Sequence, residues 1–324
     1  MNSRLLFHHD TMPDTAITIG NFDGVHIGHE CLVRKCREEV GPSGRVIVMT
    51  FSPHPATLLH PSKVPELLTT LERRIELLLA AGADEVVRLE PTKELLSLSP
   101  EAFIAQVVES HAPRVIVEGA DFRFGANRAG NMQTLHELAT RFGFRTPECP
   151  AAMVNLSDEW FVKASSTLVR RLLTAGRVHD VALILGRYHR LEGMIRRGDR
   201  RGRTVGFPTA NLVSETAIPS DGVYAGVSIL PDGRRFPCML NVGTRPTVNG
   251  LDRRVEVHMI DAPGEGERIQ GISEYDWRLK VDVVAWIRDQ MKFPSFEHLV
   301  AQLHRDRDRA RRLLSPSVSE FTSR

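Results

Sequence analysis

A stretch of ten residues, GNFDGVHIGH at positions 20–29, combines residue types that suit phosphate chemistry. Its three glycines, Gly20, Gly24 and Gly28, allow a backbone to pass close to a ligand. His26 and His29 are three residues apart and share a face if the first helical turn includes both. Two imidazoles beside a helix N-terminus could neutralise charge that grows on a phosphoryl group. We call residues 20–29 the double-histidine segment; taken alone, the pattern is also that of two surface histidines in a glycine-rich turn.

A second group of polar residues occurs much later in the chain. Ser165, Ser166 and Thr167 are followed by Arg170 one helical turn on. Hydroxyls at a helix start with an arginine one turn later form a clamp for phosphate. An ordinary helix N-cap produces the same short pattern, so these residues alone leave both interpretations open.

A third group lies in the second half of the chain. Thr209 and Asn211 are two residues apart and point to the same side of an extended strand. Their neutral oxygens suit Mg²⁺ beside substrate phosphates, although a polar turn gives the same pattern. The preceding arginine-rich run, residues 196–203, suggests either nucleic-acid binding or a solvated loop over the phosphates, and we favour the loop.

The elements that must position these residues alternate between strand and helix in the first half. Apolar runs predict strands at residues 15–19, 45–51, 85–89, 114–118 and 152–156, and helices are predicted at 29–39, 70–81, from Ser99 onward and at 132–142. The strands are apolar without alternation, which indicates a parallel sheet covered on both faces. The double-histidine segment then follows the first strand, at the sheet edge where open α/β proteins bind ligands. That position favours the phosphate site over the surface turn.

The pattern changes after Arg187. A helical stretch at residues 165–185, broken at Gly176, closes the first half. Short β-rich runs then alternate with glycine and proline and indicate an antiparallel barrel or sandwich; they lie at 191–196, 223–230, 236–242, 255–260 and 279–287. A helix is predicted near residues 295–314. The predicted domain boundary is near Gly186, which gives domains of residues 1–186 and 187–324.

Composition restricts the class of protein. The 42 basic and 40 acidic residues leave a net charge of +2, which gives no case for a large nucleic-acid surface. Hydrophobic residues make up 42% and charged residues 25%, as in globular proteins with real cores. No apolar run approaches the ~20 residues needed to cross a bilayer. The four cysteines are scattered, so we expect a reduced, cytoplasmic protein. From the composition as a whole we also expect no nucleic-acid, membrane or obligate protein partner.

The double-histidine segment resembles the signature of the HxGH nucleotidyltransferase superfamily, in the form found in bacterial FAD synthetases. Three later stretches extend the match: 51–55 is similar to an F-x-P-H-P loop, 121–127 to D-F-x-F-G-x-N and 165–170 to S-S-T-x-x-R. The resemblance implies a Rossmann-like α/β domain in which the FMN phosphate attacks the α-phosphate of ATP and releases pyrophosphate. No covalent enzyme intermediate is implied, so the domain acts by positioning and charge stabilisation.

The same resemblance implies a role for particular residues. It makes His26, His29 and Arg170 catalytic. It assigns nucleotide contacts to Gly20, Phe22, Asp23, Gly24, Gly28, Asn127, Ser165, Ser166 and Thr167, and flavin contacts to Pro53, His54, Pro55, Asp121 and Phe124.

Residues 206–211, GFPTAN, closely resemble the signature of riboflavin kinase, a small six-stranded antiparallel β-barrel. The likeness continues to residue 293 and implies that Gly206 and Pro208 contact ATP, while Thr209 and Asn211 hold the metal of Mg-ATP. Glu256 becomes the general base for the ribityl hydroxyl of riboflavin, a task suited to a carboxylate beside a metal–phosphate site. The alternative makes Glu256 a cross-strand partner of Arg253 or Arg254. Arg288 is matched to the flavin side.

The two resemblances cover residues 15–314 in the order of the bifunctional enzymes, adenylyltransferase first and kinase second. They imply that riboflavin is phosphorylated to FMN and FMN is adenylylated to FAD, with ATP as co-substrate and Mg²⁺ at both sites. One alternative is an adenylyltransferase with a silent kinase domain. Another is an arginine-rich regulator that binds flavin or RNA without turnover. The intact histidine pair opposes the regulator, and Thr209, Asn211 and Glu256 together oppose the silent kinase.

Overall fold

A computed structural model describes residues 14–197, 206–247, 250–262 and 271–315, which form two compact units. The first unit contains the described residues up to Phe22, then Gly28–Val64 and Ile75–Ala151. The second contains Asp23–Ile27, Pro65–Arg74 and the described residues from Ala152 onward. Most of the arginine-rich run at 196–203 lies outside the described residues, so its role as a loop over ATP phosphates stays a prediction.

The first unit is built on a four-stranded sheet in the order β3-β2-β1-β4. These strands are β1 (Thr15–Gly20), β2 (Arg45–Phe51), β3 (Glu85–Leu89) and β4 (Val115–Ile116). All pairings are parallel, and Ile17 of β1 is opposite both Ile47 and Ile116. Five consecutive residues of β1 are buried, which confirms the prediction of a parallel sheet covered on both faces.

The predicted strand at 114–118 is divided for a physical reason. β4 ends at Ile116, and two residues later the carboxylate of Glu118 accepts a hydrogen bond from the Ile19 amide at 2.6 Å. The side chain thus replaces the ladder partner that β1 would otherwise have there. Glu118 instead begins β5 (Glu118–Gly119), which pairs with β6 (Glu148–Cys149).

Helices cover this sheet. They are α1 (Ile27–Val40), α2 (Ala56–Leu59), α3 (Leu71–Ala80), α4 (Lys93–Ser97), α5 (Pro100–His111) and α6 (Met132–Phe142), with 3₁₀ turns at Pro61–Lys63 and Ala126–Arg128. Ser99 caps α5 as predicted, because its hydroxyl accepts from the Ala102 amide at 3.1 Å. Phe103 of α5 and Leu135 of α6 pack in one buried cluster with Ile17 and Ile47.

The second unit contains a closed six-stranded barrel in the order β10-β13-β12-β11-β14-β9. The strands are β9 (His189–Arg196), β10 (Ala210–Ser214), β11 (Gly222–Ile229), β12 (Arg235–Thr247), β13 (Gly250–Met259) and β14 (Arg278–Arg288). Every pairing is antiparallel, which confirms the barrel and excludes the sandwich. β10 is missing from the predicted strands because only Leu212 among its five residues is buried, which leaves little apolar signal.

Five more elements surround the barrel. A hairpin of β7 (Met153–Asn155) and β8 (Phe161–Lys163) precedes α7 (Ser166–Thr174) and α8 (Val178–Leu185), and α9 (Phe296–Leu313) follows β14. The break between α7 and α8 falls at Gly176, as predicted, in left-handed backbone. Apolar side chains of α7 and α8 share one buried core with the barrel interior, whereas Ala310 of α9 packs against Val223 and Ile287.

Candidate functional site

The double-histidine segment leaves β1 and turns sharply before α1. Phe22, Gly24 and Val25 have positive φ angles of 47°, 84° and 39°, and a Cβ on Gly24 would lie 2.9 Å from Leu68 Cδ1. His26 directly precedes α1 and is 6% exposed. His29 lies in the first turn of α1, with its ring centroid 5.0 Å from that of Phe22. The Phe22 ring is buried, so a nucleotide would meet this position through its backbone.

Asp23 is the most heavily bonded residue of the segment. Its carboxylate accepts hydrogen bonds from the Leu68 and Thr69 amides at 3.0–3.1 Å and from the Thr69 hydroxyl at 3.2 Å. Arg74 and Arg170 both form ion pairs with it, and Asp23 is only 3% exposed. The carboxylate predicted to contact nucleotide therefore holds protein groups together.

The predicted phosphate clamp is brought to the same carboxylate. Ser165 caps α7 by accepting from the Leu168 amide at 3.2 Å, so the ordinary N-cap interpretation holds for this hydroxyl. Ser166 donates to the Asp23 carbonyl at 2.7 Å, and Thr167 is exposed. Arg170 Nε donates to the Glu66 carbonyl at 2.7 Å while Nη2 pairs with Asp23.

Two arginines that the motif analysis did not single out also belong to this site. Arg74 is buried against Asp23, with Nη2 at 3.3 Å from Oδ1. Arg187 donates to the carbonyls of Gly24 and Val25, the latter at 2.8 Å. Burial lowers the pKa of the Arg74 and Arg170 guanidiniums from their ordinary value, and the Asp23 charge opposes that shift. No local pattern marks these arginines, because Asp23 is separated from them by dozens of residues.

The flavin-side residues predicted from the FAD synthetase resemblance lie in the first unit. The His54 ring lies between the Ala56 amide, 3.1 Å from Nδ1, and the Asn21 side chain, 3.3 Å from Nε2. Pro53 is exposed and Pro55 is half-buried.

The second group of predicted residues in that unit follows β5. Phe124 is buried and stacks on Phe122 at 5.1 Å between ring centroids, so its side chain belongs to the core. Asp121 and Asn127 are exposed, and Asn127 has a φ of 53°. Gly125 permits this turn, because a Cβ there would lie 2.6 Å from the Pro100 nitrogen.

Predicted kinase residues meet on the barrel surface. Asn211 of β10 and Asn241 of β12 are the register partners of Glu256 on either side of β13. Directly opposed residues in antiparallel strands point to the same face, so the three side chains form one row. Val255 and Val257, which flank Glu256, belong to the barrel core. The row therefore faces away from that core, with Thr209 just before β10.

The structural alternative for Glu256 loses one of its two partners. Arg253 is three residues from Glu256 along the strand, so the two side chains point to opposite faces. Arg253 donates to the carbonyls of Ile218 and Pro219 and pairs with Asp221 at 3.3 Å. Arg254 remains on the Glu256 face.

The stretch before β10 is held by aromatic contacts. Phe207 is buried, with its ring centroid 4.9 Å from that of His258 and 5.0 Å from that of His304. The Pro208 carbonyl accepts a hydrogen bond from His258 Nδ1 at 2.9 Å, and Gly206 has a φ of 74°. The sequence assigns no role to Phe207 beyond its place in the motif. In the structure its buried ring fixes the position of Pro208 and Thr209.

Arg288 is fixed at the end of β14. Its Nε and Nη2 bind Asp306 of α9 at 2.9 and 2.8 Å, and its guanidinium carbon lies 5.7 Å from the centroid of the Phe293 ring. The buried Asp306 also accepts from Gln302 at 2.7 Å. A groove of about 530 Å³ is lined by Arg288, Met291 and charged residues of α9. Another cavity of about 780 Å³, lined by α8, Tyr188 and Trp286, contains none of the predicted site residues.

The donor set around Thr209 and Asn211 suits a metal that arrives with its nucleotide. Among the described residues, no group of three or more His, Cys, Asp or Glu could hold a metal ion. Neutral Thr and Asn oxygens fit Mg²⁺ when ATP phosphates supply the negative charge. Within the described parts of the chain, no helix is long and apolar enough to span a membrane.

Comparison with known proteins gives a match for each half of the chain. A family model described as FAD synthetase matches residues 8–159, and one described as riboflavin kinase matches residues 185–314. The curated bifunctional riboflavin kinase/FMN adenylyltransferase of Escherichia coli K12 is 34% identical over 303 residues, 91% of each chain. The protein of the same name from Bacillus subtilis is 31% identical over 311 residues, 93% of each chain.

A solved structure resembles nearly the whole chain. It comes from Streptococcus pneumoniae, is described as a macrolide-efflux protein, and has a TM-score of 0.80 at 30% identity. The match covers 93% of the present chain and 95% of that one.

Proposed function

The chain belongs to the bifunctional riboflavin kinase/FMN adenylyltransferase family, and from that premise we propose how its residues divide the two reactions. The protein is a transferase that makes FMN from riboflavin and FAD from FMN. The division of the two reactions rests on one observation: each of the two family matches spans one complete sheet. All four strands of the parallel sheet lie within residues 8–159, and all six barrel strands lie within 185–314.

For the kinase reaction we assign Glu256 as the general base. It would take the proton of the ribityl hydroxyl as that oxygen attacks the γ-phosphate of ATP. Thr209 and Asn211 would hold Mg²⁺, which would help to neutralise the charge that develops on the phosphates. Register puts Asn211 beside Glu256, which supports placing base and metal on one face. Arg288, at the end of β14, is assigned to the flavin side of the kinase site.

For adenylyl transfer we assign His26 and His29 to the charge that develops on the α-phosphate of ATP. The FMN phosphate is already an anion, so attack requires no protein base. Arg170 has Nε and Nη2 engaged and its side chain is 21% exposed, so we assign Nη1 to a phosphate oxygen. The FxPHP residues, Asp121 and Phe124 are assigned to the flavin side, with Asn127, Ser165, Ser166 and Thr167 on the nucleotide side. Cytoplasmic location and the absence of nucleic-acid or obligate protein partners stay predictions from composition.

One assay tests the whole assignment. Purified protein is supplied with riboflavin, ATP and Mg²⁺, and flavins are separated by chromatography. We expect FMN first and FAD after it. FAD formed only when FMN is added would instead support the silent-kinase alternative, and no product from either flavin would support a binding protein without turnover.

A further inference from the structure

A line of buried polar contacts runs through the second unit, from the barrel to the double-histidine segment. It passes through Pro65–Arg74, which we call the anchor segment and which belongs to the same unit as Asp23–Ile27 and the barrel. At the barrel end, the Ala217 amide donates to the Leu67 carbonyl at 2.6 Å. The motifs described above include none of these anchor residues.

The first contact of the line joins Glu192 of β9 to Thr70. The Thr70 hydroxyl donates to Glu192 Oε2 at 2.9 Å, and both residues are 4% exposed. Leu191, next to Glu192, packs in the barrel core, so the Glu192 side chain points out of the barrel and beneath the anchor segment. Burying a carboxylate on the outer face of a barrel costs free energy, because the group loses its contacts with water. The contacts that Glu192 makes there must therefore compensate for that cost or serve the function.

The second contact carries the line into α3. The Thr70 hydroxyl also accepts from the Arg73 amide at 3.2 Å, and the Thr70 carbonyl accepts from the Arg74 amide at 3.0 Å. Thr70 therefore caps α3, and the carboxylate of Glu192 fixes the orientation of that cap. The cap in turn sets where the Arg74 side chain leaves the helix.

The third set of contacts ends on Asp23. Arg74 pairs with the Asp23 carboxylate, and the amides of Leu68 and Thr69 donate to the same group. Four of the five donors to Asp23 described above thus come from one short stretch that Glu192 holds in place through Thr70. Asp23 directly precedes Gly24, where the backbone turns toward His26.

We propose that Glu192, a residue of the kinase barrel, is a positioning residue for adenylyl transfer. It acts through Thr70 and the anchor segment on Asp23 and so sets the turn at Gly24 that leads to His26. The inference rests on the proposed function of that segment. Its consequence is that a barrel side chain controls the FAD-forming step while the FMN-forming step, which uses the Thr209–Asn211–Glu256 face, does not depend on it.

A role in stability alone does not account for the buried carboxylate of Glu192. Glu192 Oε1 has no hydrogen-bond partner among the residues that the structure describes. A half-satisfied buried carboxylate is a poor source of stability, because an unmet acceptor offsets much of what the other oxygen gains. Its burial is better explained by the geometry it imposes on Thr70. A misplacement of about 1 Å from a distant change costs up to ~10²-fold in rate, mainly through kcat.

The test compares two substitutions at Thr70 in the full chain. Thr70→Val keeps the shape and removes the hydroxyl, whereas Thr70→Ser keeps the hydroxyl. FMN adenylylation and riboflavin phosphorylation are each measured for kcat and KM, together with the melting temperature. We expect Thr70→Val to lower kcat for adenylylation by ~10–10²-fold with KM for FMN changed less than about threefold. Thr70→Ser should restore most of that rate, and kinase kcat should stay within about twofold.

Substitutions at Glu192 provide the second arm. Glu192→Ala should lower adenylylation as Thr70→Val does, and the double variant should lose no more than either alone, because both cut the same contact. Glu192→Gln retains an acceptor and should be milder. Glu215→Gln is the matched control, since Glu215 is an exposed barrel carboxylate paired with Arg278 at 2.9 Å. If Glu192→Ala fails to fold, the comparison of Thr70→Val with Thr70→Ser still tests the proposal.

Three results would overturn the inference. They are unchanged adenylylation in Thr70→Val, equal loss of both activities, and additive losses in the double variant. His29→Ala, run alongside, separates this from failure of the proposed function. If His29→Ala leaves FAD formation intact, the segment itself is misassigned. If it abolishes FAD formation while Thr70→Val does not, only the role of Glu192 is wrong.

Discussion

At the residue scale, His29 carries a prediction that separates the two reactions. His29→Ala should lower FAD formation from FMN by ~10²–10³-fold, the usual loss when one group that stabilises transition-state charge is removed. FMN formation should be unchanged, because the residues proposed for the kinase reaction lie on the barrel. Rates of both half-reactions are measured, with His111→Ala in the last turn of α5 as the control. A folded His29→Ala protein that loses both activities equally would contradict the division of residues.

Glu256 carries the second prediction at this scale. Glu256→Gln keeps the shape but removes the proton acceptor, so riboflavin phosphorylation should fall by ~10²–10⁴-fold while riboflavin binding changes little. FAD formation from supplied FMN should be unaffected. If Glu256 only paired with Arg254 in the sheet, the change would alter stability by under about 1 kcal/mol and leave the kinase working. A stable Glu256→Gln protein with full kinase activity would therefore remove Glu256 as the base.

Residue types and spacing select candidate site residues, but they do not show which contacts each side chain already makes in the fold. The motif contains Asp23 but does not show that its carboxylate is already bonded to Arg74, Arg170 and two backbone amides. Those partners are separated from it by 45 residues or more, and only the folded chain brings them together. Phe124 is a similar case, because its place in a motif hides that its ring packs in the core.

At the element scale, the start of β9 carries a prediction about pH. His189 is fully buried, its Nε2 lies 2.7 Å from the Ala217 carbonyl, and burial lowers its pKa to about 4. In the unfolded chain the pKa is about 6.5. The unfolded state therefore binds the extra proton between these values, and the stability from neutral His189 is complete above about pH 6.5 and is lost as pH falls toward 4.

The expected size of this loss is about 2–3 kcal/mol in the free energy of unfolding between pH 7.5 and 4.5. His189→Gln can still donate to the Ala217 carbonyl but does not titrate, so its pH dependence should be smaller by that amount. Denaturant unfolding of both proteins at the two pH values measures the difference, with His298→Gln on α9 as the control. Parallel pH profiles for wild type and His189→Gln would show that His189 does not titrate on unfolding.

The sequence predicted elements well where apolar residues set the period. The buried strands β1 and β2, the cap of α5 and the break at Gly176 were confirmed within a residue or two. Two errors have local causes. β10 is paired on both edges but buries only Leu212, and the strand at 114–118 divides because Glu118 bonds to β1 through its side chain. The periodicity of apolar residues does not indicate which strands pair with each other. It also does not indicate which backbone amide a polar side chain will bind.

At the scale of the whole molecule, the motifs and the packing divide the chain at different points. The kinase match begins at residue 185, near the predicted boundary at Gly186. The compact unit that holds the barrel includes residues from Ala152 onward. The reason is visible in the core, where Leu173 of α7 and Val181 of α8 are buried together with Leu191 of the barrel. The Ser220 amide also donates to the Leu173 carbonyl at 2.9 Å.

This difference predicts how fragments behave. A fragment of residues 187–324 lacks α7 and α8 and exposes the apolar barrel surface that they cover, whereas residues 152–324 keep both helices. Burial of each large aliphatic side chain contributes about 1.5–3 kcal/mol, so the shorter fragment should melt well below the longer one. Both retain Thr209, Asn211 and Glu256, so the kinase rate per folded molecule should be similar. Thermal melts and riboflavin phosphorylation of the two fragments test this. Equal melting temperatures would mean that the helices add nothing to the barrel, and that the chain divides at Gly186 in packing as well as in motif.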